Sequence, residues 1–242
     1  MKSSLFLTKQ KNKKEYTIID QGEGIMLRKE TLYHAIEVNE DYYDMDKSLE
    51  KLEKIMQDGY LYSRRLQKDL DRTKGGFQGL DYISFCDNEK KNARPYQGRS
   101  FYKGYTAYQC YIAKSLSLGF KKEKLNIITP ILIAPTIFDW DSLETMRILG
   151  LEKKRYSDMP DEVQIKNKVS LKNLVCLTLP IHLIQNNKKG MIYTETQVLD
   201  HLETINSILT EHDLNVPIYD LFSRTKLDKE EKVRKVMQKY KI

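Results

Sequence analysis

Apolar residues in this chain gather in short strand-like runs, and between these runs lie a few longer stretches with a helical repeat. The run Leu32-Tyr33-His34-Ala35-Ile36 reads as a first core strand, and Tyr82-Ile83-Ser84-Phe85-Cys86 as a second. Residues 127–133 read as a buried strand whose Pro130 suggests an edge or a bulge. A further strand starts at Glu162, and another spans 174–179. Helical spacing appears at Leu49, Leu52, Ile55 and Met56 within 46–58, where Gly59 supplies a C-terminal stop. Residues 107–118 also read as helical, and 139–155, with Trp140, as a helical or irregular excursion. Thr194 and Gln197 form a capping-box pattern for a helix with Val198, Leu199, Leu202, Ile205, Ile208 and Leu209 on one face. Near the end, Val233, Val236, Met237 and Tyr240 make a narrow apolar stripe within 228–240.

Short strands with interspersed helices define an α+β chain. The expected division is a polar, lysine-rich segment at 1–29, in which only 16–19 looks like a strand, a core domain at 30–185, and a helical extension packed on it at 186–242. The 242 residues suffice for a substantial core. Neither an apolar run of membrane-spanning length nor a secretory leader is found, so synthesis in the cytoplasm is expected, with signal-independent export left open.

Charge widens the choice of partner. The net charge of +7 suits a polyanion such as nucleic acid, anionic lipid or a phosphorylated small molecule, but also an ordinary lysine-rich surface. Two stretches, 63–80 and 88–104, read as basic loops flanking the Ser84 strand. In the second, Arg94, Tyr96, Arg99, Phe101, Tyr102 and Lys103 interleave cations with aromatics, a composition suited to stacking on unpaired bases. The cysteines Cys86, Cys110 and Cys176 show no metal-ligand spacing, and His182, His201 and His212 add none, so no metal is expected. Phosphate-binding glycine loops and the HExxH pattern are also missing.

Candidate chemistry sits on three strands. His34 follows an aromatic on the first, and Ser84 is central in the second. Glu162 opens the third and shares one face with Gln164, while Val163 and Ile165 take the other. This order of His strand, helix-Gly59-Tyr60-Leu61, Ser strand and Glu strand resembles the ADP-ribosyltransferase superfamily over roughly residues 30–182, in particular its His-first branch of poly(ADP-ribose) polymerases and diphtheria-type toxins.

The resemblance implies a split mixed β-sheet with flanking helices, and NAD as co-substrate without a metal. His34, with Tyr33 beside it, would hold a ribose, and Ser84 would support the nicotinamide pocket. Glu162 would be the catalytic acid, and Tyr108 would stack on nicotinamide. His first with Ser second matches neither branch of the family fully, which leaves the acceptor open. Pro160, where arginine-modifying members carry Gln or Glu, makes arginine the less favoured acceptor.

The implied activity is mono-ADP-ribosyl transfer to a macromolecule, protein or nucleic acid, in the setting of a toxin, an effector or a defence enzyme. Two alternatives compete with it. One is a non-catalytic nucleic-acid-binding protein using the basic aromatic loop. The other is an inactive nucleotide-binding member of the same fold.

Overall fold

The computed structural model describes residues 30–36, 43–63, 66–67, 82–87, 112–127, 162–181 and 193–240. Eight strands and three α-helices lie within them. In chain order these are β1 (Thr31–Ile36), α1 (Met45–Asp58), β2 (Tyr60–Tyr62), β3 (Tyr82–Cys86), β4 (Leu116–Lys121), β5 (Glu162–Lys166), β6 (Lys168–Ser170), β7 (Leu174–Leu179), α2 (Glu195–Glu211), β8 (Ile218–Asp220) and α3 (Glu230–Tyr240). The chain is therefore α+β, with helices dominating its C-terminal part.

Six strands form one sheet in the order β5-β3-β1-β4-β7-β8. All neighbours run antiparallel except β7 and β8, so the sheet is mixed. A second, two-stranded ribbon pairs β2 with β6. The chain leaves the main sheet for this ribbon at Asn167, whose φ of 67° lies in the left-handed region. Asparagine tolerates that conformation better than most residues. Its carbonyl accepts a bond of 2.7 Å from the Ser63 amide, which ties the turn to the end of β2.

Alternation along the strands gives each face of the sheet its own core. Leu32 and Ile36 of β1 share a face with Phe85, Leu118 and Phe120, and pack with Leu52 of α1, Ile205 of α2 and Val236 of α3 in one large apolar cluster. On the other face, Tyr33, Cys86 and Cys176 pack with Ile112, Ala113 and Leu221. Gly119 lets the two halves of this smaller core close. A Cβ there would stand 2.5 Å from Cys176 Sγ and 3.1 Å from the Tyr33 ring.

The helix ends follow from local chemistry. The Asp44 side chain accepts from the Lys47 amide at the start of α1, and Gly59 ends the helix with a φ of 65°. Thr194 and Gln197 form the reciprocal capping box expected for α2. The stripe of α3 is buried at Val233, Val236, Met237 and Tyr240, as its spacing predicts.

Two elements depart from the sequence expectation. The C-terminal part of the helix expected at 107–118 is strand: β4 starts at Leu116 and pairs with β1 and β7 at the centre of the sheet. Leu116, Leu118 and Phe120 alternate with Ser117 and Gly119, a period of two that outweighs the helical spacing before it. β8 was not anticipated either; only three residues long, it is held as a parallel neighbour of β7. The expected strand at 16–19, all but the first residue of that at 127–133, nearly all of the basic loop at 63–80, the loop at 88–104 and the Trp140 segment lie outside the described residues.

Candidate functional site

β5 is the edge strand of the described sheet, and its pairing with β3 sets the geometry of the site. Cys86 stands opposite Glu162 and Ser84 opposite Gln164, so these four side chains share one face. Ser84 Oγ donates a hydrogen bond to Glu162 Oε1. Gln164 Nε2 donates to the same oxygen at 2.9 Å. Glu162 is 2% exposed, Gln164 1% and Ser84 4%. A carboxylate so far from water survives only with such donors around it, and two donors on one oxygen also fix its orientation.

The end of β3 next to this cluster is pinned from the turn that follows β4. Lys122 Nζ lies 3.0 Å from Asp87 Oδ1 and 2.9 Å from Oδ2, with Asp87 almost fully buried. Because Asp87 follows Cys86, the pair holds the strand directly across from Glu162.

His34 sits elsewhere. The register β1 to β3 pairs Tyr33 with Cys86, which aligns His34 with Phe85, and their rings lie 5.5 Å apart. It therefore faces the helix-packed side of the sheet, opposite to Ser84 and Glu162. Its contact with the cluster runs through the backbone: His34 Nδ1 is 2.8 Å from the Ser84 carbonyl oxygen. A carbonyl can only accept, so Nδ1 carries the proton. Removal from water holds the His34 pKa down to about 4; the Ser84 bond opposes this and the positive charge of Lys51 on α1 adds to it. At neutral pH His34 is accordingly an uncharged imidazole whose Nε2 is an acceptor.

The other candidates separate. Tyr33 is buried in the smaller core, its hydroxyl 3.9 Å from Cys176 Sγ. By register it shares the face of Cys86 and Glu162. Tyr108 lies outside the described residues. Ser84 and Glu162 thus meet side chain to side chain, His34 braces the same strand from behind, and Tyr33 packs beside them in the core.

Sequence reasoning assigned no role to two neighbours. Gln164 was placed on the Glu162 face by alternation, yet nothing in a single glutamine announces that its amide turns back to the carboxylate. Lys51 is one lysine among many on the polar side of an amphipathic helix, and only the packing of α1 near β1 brings its charge to bear on His34. Among the described residues no group of three or more His, Cys, Asp or Glu could hold a metal ion. No described helix is long and apolar enough to cross a membrane.

No protein-family model matches this chain, and neither does any curated protein. Among solved structures, DarT of Thermus sp. 2.9 in complex with carba-NAD+ aligns at 12% identity with a TM-score of 0.36, over 79% of this chain and 95% of its own. The same protein in complex with NAD+ aligns at 12% identity with a TM-score of 0.32, over 74% and 91%. Likeness of this degree fixes neither a ligand nor a reaction for this chain.

Proposed function

We propose that the protein is an NAD-dependent mono-ADP-ribosyltransferase with Glu162 as its catalytic acid, residues 30–185 forming the catalytic unit and 186–242 packed on it. One observation carries the reading: a buried carboxylate held in a single orientation by Ser84 Oγ and Gln164 Nε2 on a shared sheet face. The sequence resemblance points independently to the same glutamate and the same serine.

In the proposed reaction the bond between ribose C1′ and the nicotinamide nitrogen breaks. Its electron pair leaves with nicotinamide, which loses its positive charge, and cationic character grows on C1′. A fixed carboxylate beside the ribose stabilises that charge and orients the 2′-hydroxyl. A lone pair of the macromolecular acceptor then forms the new bond to C1′, and the acceptor's proton passes to Glu162 or to solvent. Two donors already engage Glu162, so little reorganisation is needed as the charge develops. The resemblance gives His34 a ribose hydroxyl, but the register sets its ring beside Phe85, on the sheet face opposite Ser84 and Glu162. The position of His34 behind Ser84 gives it a second task, holding the serine strand.

Nicotinamide release from NAD, with and without cell lysate, tests this reading. Glu162→Gln keeps the shape and removes the charge, and is expected to lower release about 100-fold to 1000-fold. Ser84→Ala removes the Oγ donor to Oε1 while keeping the Gln164 amide, and is expected to cost about 10-fold. Release that is equal in wild type and Glu162→Gln would end the proposal.

A second reading, nucleic-acid binding without catalysis, draws on the β2–β6 ribbon. The half-buried rings of Tyr60 and Tyr62 lie 5.8 Å apart, and Lys168 Nζ stands 4.3 Å from the Tyr60 ring centre. Adjacent aromatics with a cation suit stacking on bases. Salt-dependent binding of a single-stranded oligonucleotide, lost in Tyr60→Ala and accompanied by indifference to NAD, would favour this reading.

A further inference from the structure

Gln164 has one oxygen too many for the folded protein alone. Its Nε2 is spent on Glu162, but its Oε1, in a side chain 1% exposed, has no hydrogen-bond partner among the described residues. Burying an acceptor unpaired is unfavourable, and such atoms in native proteins usually await a water or a ligand. Here the orphan oxygen belongs to the same carboxamide that grips Glu162, so it sits beside the carboxylate. Two acceptors side by side match two donors on adjacent atoms.

We infer that Gln164 is a ligand-contacting residue whose Oε1 accepts a hydrogen bond from the 3′-hydroxyl of the ribose whose 2′-hydroxyl Glu162 orients. This rests on the proposed transferase reading. For the glutamate to act, C1′ must lie near it, and the sugar's hydroxyls nearest C1′ are the 2′ and, one carbon further, the 3′. A vicinal diol presents them at the separation of neighbouring acceptors, whereas the amide of nicotinamide projects from the far side of its ring. Gln164 thereby selects a nucleotide that keeps both hydroxyls. It also couples recognition to chemistry, because one side chain holds the catalytic carboxylate and the sugar together.

The test compares the affinity of the ice-cold protein for NAD and for NAD lacking the 3′-hydroxyl on the nicotinamide ribose, in wild type and in Gln164→Met. Methionine has a similar length and shape without either polar atom. Wild type is expected to bind the deoxy compound about 5-fold to 10-fold more weakly than NAD. The variant is expected to bind both with the same, reduced affinity, so the two losses do not add. Equal binding of the two compounds by wild type overturns the assignment while leaving the transferase reading intact, and that arm needs no variant to fold. Additive losses in the cycle overturn it as well, by placing Gln164 away from the 3′-hydroxyl. Failure of wild type to bind NAD at all overturns both together.

Discussion

At the scale of single residues, the contrast between His34 and Glu162 is instructive. Both are polar side chains on strands, and sequence spacing makes them equals. The register separates them: Glu162 shares its face with Ser84, while His34 looks toward α1 and touches Ser84 only through a carbonyl. His34→Leu removes that brace and the imidazole together. As a positioning residue, its loss should lower kcat for nicotinamide release about 10-fold with little change in KM, since the ribose contacts on the other face persist. A rise in KM for NAD with kcat unchanged would instead make His34 a direct contact of the sugar. His34→Asn, which can restore a donor to the Ser84 carbonyl, should recover part of the lost kcat only in the first case.

At the scale of elements, legibility followed the strength of local periodicity. The capping box of α2, the Gly59 stop of α1 and the α3 stripe were readable because each rests on residues within one or two turns. β5 was readable to its faces, since Glu162 and Gln164 alternate with Val163 and Ile165. β4 was masked by helical spacing upstream, although it occupies the centre of the sheet. Its Gly119 is also the residue most exposed to a packing error. A methyl group there meets Cys176 Sγ, Thr31 Cγ2 and the Tyr33 ring within 3.1 Å. Gly119→Ala should therefore destabilise the fold by about 1–3 kcal/mol, through overpacking rather than backbone strain. Combining it with Cys176→Ala, which clears the nearest atom, should return part of that loss in urea melts; no recovery would place the clash elsewhere. The partnership between Gln164 and Glu162 was beyond sequence reasoning for a different reason. It depends on rotamers, and alternation specifies only a face.

At the scale of the whole molecule, two histidines on different elements make the fold sensitive to acid. Burial holds both His34 and His201 down to about 4, against an ordinary value of 6.5. His201 lies in α2 and shares a hydrogen bond of 3.0 Å with Tyr43 Oη, at the seam between α1 and α2. Between pH 6.5 and 4 the unfolded chain takes up protons on these imidazoles and the folded chain does not, so stability is lost as pH falls through that window. With both groups titrating, the slope approaches about 2.7 kcal/mol per pH unit, a sizeable share of the 5–15 kcal/mol that holds a typical domain. Asp220 acts in the opposite sense. Burial raises its pKa, against opposing bonds from Ser223 and Tyr240, so its protonation on the fold offsets part of the loss above the ordinary carboxyl value. Urea melts at a series of pH values should show stability flat above pH 7 and falling steadily below 6.5. His201→Leu removes one of the two protons, and its slope in that window should be shallower than that of wild type by up to about 1.4 kcal/mol per pH unit. An unchanged slope would mean that His201 titrates alike in both states, and that the α1–α2 seam admits water at the Tyr43 hydroxyl.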